Sequence, residues 1–290
     1  MIKTGILSTA YFGFDDFEAG MSLMKAHGYD GFDYQGFGSV PTSPLYKMTE
    51  EELFVYLDKI KACAQKNGLI IYQMHGALPC EDFATEEGRQ RQLEHFKKGI
   101  LGAERLGCQK MIIHPWMPGL ETNSPSEEEI PLNIRLLKQL APFARAHGVT
   151  ICMENVAAPN GTVLSYIESV KKVLDGVDDE YIKSCLDTGH FNAVGKDICS
   201  AIQLLGKHLA ALHVHDDRYG QDRHLLPFQG EVDWDGFARG LHTIGFDGVI
   251  SLETQICSGM PSPVREKFEL ALSKMTRYLA DKAEGKGEKI

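Results

Sequence analysis

The sequence predicts a single α/β domain closed as a (β/α)8 barrel, and three observations carry the prediction. An apolar strand, a polar loop, an amphipathic helix and a glycine turn recur eight times without a break. Such alternation makes an all-parallel sheet, and eight units close one into a barrel. The length, 290 residues of which 43% are hydrophobic, suits one barrel with its own core. After the first strand come Ser8, Thr9, Ala10, Tyr11, Phe12 and Gly13, not the glycine-rich phosphate turn of an open doubly wound sheet, the nearest competing architecture. No linker or composition shift marks a second domain, so 1–290 reads as one unit with a charged, frayed tail at about 283–290.

Taken in order, the first strand is expected at 5–10 and its helix at 17–27, stopped by Gly28. The second strand, 31–34, leads to a helix opening at Thr49, where Thr49 and Glu52 have capping-box spacing, and closing near Asn67 and Gly68. Strand three, 69–74, ends in His75, and its helix at 86–106 stops at Gly107. Strand four, 110–113, ends in His114 and Pro115. Pro125 and the acids Glu127, Glu128 and Glu129 open the next helix, where negative charge suits the dipole, so these acids read as helix chemistry. Strand five, 149–153, ends in Glu154, with a helix at 163–174; strand six, 182–186, ends in Asp187 and its helix at Leu205. Strand seven begins at Leu209 and runs into the polar stretch 211–234; a helix at 234–244 follows. Strand eight, 248–252, ends in Glu253, and the last helix covers 263–282.

Thirty basic residues against forty acidic ones give a net charge of −10, which argues against a nucleic-acid partner held by phosphate contacts. No apolar run reaches the roughly 18 residues of a membrane span, and the N-terminus lacks a signal-peptide layout. Seven cysteines, at 63, 80, 108, 152, 185, 199 and 257, form no CxxC pair; an odd, scattered set is expected of reduced thiols in a cytoplasmic protein.

In such barrels the chemistry sits at the C-terminal strand ends. Those ends carry His75, His114, Glu154, Asp187 with His190, His213 with His215, and Glu253, and the loop after strand seven adds Asp222 and His224. Imidazoles and carboxylates together suit a borderline divalent cation. Each has a structural alternative: His114 as a strand cap, Glu253 as a salt-bridged rim residue, His190 as a helix cap. Six consecutive ends of one chemical type argue for a site. Cys152, Cys185, Ala211 and Ser251 stand two residues before four of those ends, small partners on the same inward face. His27, His95, His147, His208 and His242 fall on helices or turns and read as structural or solvent-facing.

The set Met153, Glu154 and Asn155, Cys185 to His190, Leu212 to Asp216, and Leu252 to Thr254 resembles the xylose-isomerase-like TIM-barrel superfamily, in particular its sugar phosphate isomerase/epimerase branch, related to ketose 3-epimerases and endonuclease IV. The resemblance implies one divalent metal (Mn2+, Zn2+ or Co2+) on Glu154, Asp187, His213 and Glu253. His213 rather than His215 takes the histidine place of the His-x-x-Asp pattern. It also implies proton transfer beside a carbonyl of a sugar or sugar phosphate through an enediolate, with Glu154 and Glu253 as the catalytic pair. The endonuclease IV likeness extends the set to His75, His114, His190, Asp222 and His224, allows up to three metals, and makes a multi-zinc phosphodiesterase the alternative. A non-catalytic metal- and sugar-binding barrel is the second alternative. His190 and Arg218 are expected to hold substrate hydroxyls, and Trp116, Phe12, Tyr11 and Phe14 to wall the pocket where they do not pack the core. A homo-oligomer is left open.

Overall fold

Short runs of four to six mostly apolar residues, too short for helices, become the strands of one sheet. The computed structural model describes residues 1–118, 124–157, 161–195, 197–254 and 259–286. The strands are β1 (Lys3–Leu7), β2 (Gly31–Tyr34), β3 (Ile70–His75), β4 (Lys110–Ile113), β5 (Thr150–Glu154), β6 (Ile182–Asp187), β7 (Leu209–His213) and β8 (Val249–Leu252). The helices are α1 (Phe17–Ala26), α2 (Glu50–Lys66), α3 (Glu86–Leu106), α4 (Glu129–Ala146), α5 (Ile167–Val177), α6 (Thr188–Val194), α7 (Ile198–Leu205), α8 (Trp234–Ile244) and α9 (Ser262–Ala283). Every strand pair is parallel, in the order β7-β6-β5-β4-β3-β2-β1-β8. The ring closes through Val214, just past β7. Its N–H donates to Ser251 O (2.8 Å), and its carbonyl accepts from Glu253 N (3.0 Å).

Alternation along each strand sorts the core. Met153, Leu186 and Leu212 point outward into the layer shared with the helices, whereas Ile112, Cys152, Cys185 and Ala211 form a separate buried cluster. That cluster is an inner layer of mostly small side chains, one step below Glu154, Asp187 and His213. Cys152 and Cys185 are therefore packing residues, as the sequence predicts.

Local signals were accurate where the chemistry was local. The Thr49 hydroxyl accepts from Glu52 N (3.3 Å) and the Glu52 carboxylate from Thr49 N (2.9 Å), the predicted capping box. Corrections arise where packing intervenes. β1 stops at Leu7, because Ser8–Ala10 turn as a 3-10 segment. Unit five carries a 3-10 turn, Val163–Ser165, before α5. Unit six has two helices: Asp187 caps α6, and Asp197 caps α7 by accepting from Ser200 N (3.0 Å). Glu129 is not dipole decoration. It is 1% exposed and accepts from Thr162 Oγ1 (2.5 Å) and Val163 N (3.1 Å), tying α4 to the loop after β5. α9 ends at Ala283, and Glu284 accepts the Ile2 N–H, joining the two ends of the chain. Residues 287–290 of the expected frayed tail, and Cys257, lie outside the described residues.

Candidate functional site

Four residues from β5 to β8 meet at the barrel mouth. Glu154, Asp187, His213 and Glu253 bring one ligand-type atom each to within 4.8 Å of one another. His213 Nδ1 lies 3.1 Å from Glu154 Oε1 and 2.7 Å from Glu253 Oε2. Both Glu154 oxygens, Asp187 Oδ2, His213 Nδ1 and Glu253 Oε2 are buried without a hydrogen-bond partner. Native interiors rarely tolerate such atoms. Four groups with bare lone pairs converging on one point fit a divalent cation, and three carboxylates with one imidazole are a hard-to-borderline donor set.

Two further groups adjoin the first. Glu154 Oε2 faces His75 Nε2 (3.7 Å) and His114 Nε2 (3.5 Å). On the other side, His190, His215, Asp222 and His224 form a four-residue group, with His224 Nε2 3.2 Å and His190 Nε2 3.6 Å from Asp222 Oδ1. His215 and His224 stack at 4.0 Å.

The ring nitrogens show how the mouth is wired. A backbone carbonyl only accepts, so a ring nitrogen facing one carries the proton. His75 Nδ1 is on Gly76 O (2.8 Å), His190 Nδ1 on Asn155 O (3.0 Å), His215 Nδ1 on Asp216 O (3.2 Å) and His224 Nδ1 on Glu253 O (2.7 Å). Each ring therefore turns its Nε2 inward, as metal-binding histidines do. The His224 backbone is left-handed (φ 50°), an uncommon conformation for a residue with a side chain.

The segment Asp187 to His190 divides the labour. Asp187 Oδ1 caps α6 through His190 N (2.6 Å), leaving Oδ2 bare. The Thr188 hydroxyl donates to His215 O (2.6 Å) and accepts from His215 N (3.1 Å). Gly189 leaves room for the His215 ring: a Cβ there would sit 2.0 Å from its Cε1. The Asn155 amide clamps the backbone of Asp187 from both sides (2.9 and 3.1 Å).

Charge follows depth. Burial by itself would raise the Glu154 carboxyl, but His213, His114 and His190 outweigh it and hold the group well below the carboxylate range. Asp187 is likewise lowered, burial being overcome by His190 and His215. Burial opposes protonation of the histidines. Facing carboxylates nevertheless raise His190 to about 10, through Asp187 and Glu154, and His224 to about 9, through Asp222 and Glu253. His213 rises well above its ordinary value against the same opposition. Without a cation, protons on these imidazoles balance the carboxylates. The Glu154 side chain is 1% exposed and that of Glu253 15%, so Glu253 is the one that reaches the opening.

Ten of the predicted side chains thus come together, and Arg218 does not. It is exposed and belongs to none of the groups. Trp116 and Phe12 are core residues, 2% and 5% exposed, against Phe83 and Phe96 and against Phe32 respectively. Phe14 stacks on Tyr56, and the Tyr11 hydroxyl meets His27 Nδ1 (2.7 Å). Asp216 and Asp217 are fully buried loop clamps: Asp216 accepts from Asp217 N (2.9 Å), Val232 N (3.1 Å) and Trp234 Nε1 (3.1 Å). His27, His95, His147, His208 and His242 all have partners away from the mouth. The triad Cys80, Glu81 and His95 is also clustered, but Glu81 is engaged by Arg91 (2.7 Å) and His95 (3.0 Å). Sequence reasoning missed Asp33. This fully buried acid on β2 lies 2.9 Å from His213 Nε2, and an acid inside a four-residue apolar strand was the available signal.

A (β/α)8 barrel with a carboxylate- and histidine-lined mouth is the class of protein these features define. The chain belongs to the xylose isomerase-like TIM barrel family, whose model matches residues 21–275. It is 28% identical over 174 residues to an uncharacterised protein of Methanocaldococcus jannaschii (59% of each chain) and 29% identical over 175 residues to the inosose isomerase of Bacillus subtilis (58% of this chain, 62% of that one). It therefore spans about three fifths of the length of these curated relatives. A probable endonuclease 4 of Acholeplasma laidlawii is 24% identical over 190 residues (60% and 64%). Among solved structures, D-psicose 3-epimerase of Clostridium cellulolyticum H10 superposes with TM-score 0.79 at 18% identity, covering 96% of this chain and 99% of that one. The IOLI protein with a bound zinc atom gives 0.76 at 21% (99% and 100%). These likenesses confirm the predicted fold. No described helix is long and apolar enough to cross a membrane.

Proposed function

We propose that this protein is a divalent-metal-dependent sugar or sugar-phosphate isomerase or epimerase. The observation that carries the reading is the convergence of unpartnered atoms from Glu154, Asp187, His213 and Glu253. Relatives named as inosose isomerase and D-psicose 3-epimerase, both acting on polyhydroxylated carbonyl compounds by name, support it. Mn2+, Co2+ or Zn2+, one per chain, fits the donor set. Bound there, the cation supplies Lewis acidity to a substrate carbonyl and its neighbouring hydroxyl.

The residues do the rest. Glu154 and Glu253 flank His213 Nδ1 on different strands, so a substrate seated in the mouth meets a carboxylate on either side. One takes the proton from the carbon beside the carbonyl, leaving an enediolate, and the other returns a proton. Return to the opposite face inverts the centre; return to the former carbonyl carbon, with the neighbouring hydroxyl's proton passing to the former carbonyl oxygen, moves the carbonyl. Glu253, nearer the opening, exchanges its proton with solvent more readily than Glu154. His190 and His224, beside Asp222, would hold substrate hydroxyls.

A second reading rests on the two flanking groups. Loaded at all three positions, the mouth is suited to activating water against a phosphodiester, as in an endonuclease IV-like multi-zinc phosphodiesterase. The net charge of −10 weighs against a nucleic-acid substrate. The deciding experiment is metal analysis of protein purified without added metal or chelator, followed by incubation with ketoses and inososes in D2O. About one metal per chain, with deuterium entering beside the carbonyl, is the expected result. Three zincs with no exchange, and cleavage of an abasic duplex, would establish the second reading instead. Tight sugar binding without exchange or cleavage would leave a non-catalytic binding barrel.

A further inference from the structure

Four histidines of the mouth anchor Nδ1 on a backbone carbonyl and turn Nε2 inward. His213 is wired the other way. Its Nε2 lies 2.9 Å from Asp33 Oδ2, and its Nδ1 faces Glu154 and Glu253. Asp33 is fully buried on β2, across the barrel from β7, and both its oxygens are taken. Gln73 Nε2 donates to Oδ2 (2.8 Å) and Gln35 Nε2 to Oδ1 (2.8 Å). The Gln73 amide also donates to the carbonyl of Leu212 (3.2 Å), the residue before His213.

We propose that Asp33 is a positioning residue for the metal centre: it takes the Nε2–H of His213 and so makes Nδ1 the metal-binding nitrogen. The inference rests on the metal reading above. With the opposite tautomer, an Nε2 lone pair would face a carboxylate lone pair at 2.9 Å with no proton between them, while a proton on Nδ1 stood in the ligand set. A carboxylate partner rather than a carbonyl also makes the imidazole a stronger donor to the cation. Asp33 is unavailable as a ligand itself, since three donors already share its two oxygens. Gln73, by holding both Asp33 and the backbone before His213, sets the distance between them.

The test uses full-length, zinc-loaded protein with 15N-labelled histidine, the His213 resonances being those lost in His213→Asn. The expected spectrum has the proton on Nε2 and zinc on Nδ1. Asp33→Asn, which keeps the shape but removes the charge, is expected to weaken zinc binding about 10- to 100-fold in chelator competition. Its metal-free form should still unfold in one cooperative transition, separating positioning from folding. Zinc held with Nδ1 protonated overturns the proposal without any variant, even should Asp33→Asn fail to fold. So does an Asp33→Asn protein binding zinc within twofold of wild type. A wild-type chain that takes up no divalent metal sinks the metal reading, and this proposal with it.

Discussion

Glu154 reaches the centre of the mouth with both carboxylate oxygens unpartnered, and Glu253 comes within 2.7 Å of the same imidazole. An amide in either place keeps the size and loses the ability to accept a proton. Glu154→Gln and Glu253→Gln are each expected to lower turnover at least about 100-fold with far-UV circular dichroism unchanged. Near-normal rates in either would remove the two-carboxylate scheme. Gly189 makes a sharper structural statement. Its missing Cβ is what lets the His215 ring lie beside α6, since a Cβ would come 2.0 Å from a ring carbon. Gly189→Ala must displace that ring or the backbone of Asp187 to His190. The expected destabilisation is about 1–3 kcal/mol in denaturant unfolding, with His215 resonances shifted. At this scale the sequence was informative for side chains that end strands. It was silent on His213 against His215 beyond the family pattern, because both lie on the same side of the chain.

The loop between β7 and α8 is an element in its own right. It carries Asp222 and His224, and it is held by a backbone bridge between Asp216 and Leu225, by Asp217 and by the side chain of Asp216. That buried carboxylate accepts from two backbone amides and the Trp234 indole, and Gly230 passes so close that a Cβ would lie 2.4 Å from Asp216 Oδ1. Gly230 and Trp234 thus both abut the Asp216 carboxylate. In Asp216→Ala those buried donors lose their acceptor, at about 1–3 kcal/mol for each left unsatisfied. Limited proteolysis between 217 and 230 should quicken, and Trp234 fluorescence should shift red. An unchanged cleavage rate would mean that the loop is held elsewhere. The strands and long helices were readable from periodicity and caps, as α3 and α8 illustrate. The break between α6 and α7 was not, because Asp187 serves the site and caps a helix at once.

For the whole molecule, the mouth is a balance of charge that protons or a cation can satisfy. His224, raised to about 9, and His190, raised to about 10, have folded values above the ordinary 6.5. For such groups the stabilisation is complete below the unfolded value and is lost as pH rises through the folded one. Metal-free protein should therefore lose thermal midpoint between about pH 7 and 10, and scanning calorimetry across that window checks it. Metal-loaded protein should lose less, because a cation on Glu154, Asp187, His213 and Glu253 neutralises carboxylates that raise the neighbouring imidazoles, and loading at pH 7 should release protons. A metal-free midpoint flat across the window would show that these imidazoles carry no such stabilising charge.

What the sequence determined by itself was whatever depends on near neighbours. The eight strand–helix units, the capping box at Thr49, the inward face of small residues and the acidic and histidine strand ends all follow from periods of two and 3.6 along the chain. Closure of the ring converts those ends into one site, which is why ten side chains were legible before any coordinate. What tertiary structure alone decided depends on distance across the barrel. Asp33 and His213 are separated by 180 positions in the chain and by 2.9 Å in space. Which nitrogen of His213 faces inward, why Arg218 stays outside, and why Glu129 is buried are set by packing partners that no local pattern encodes.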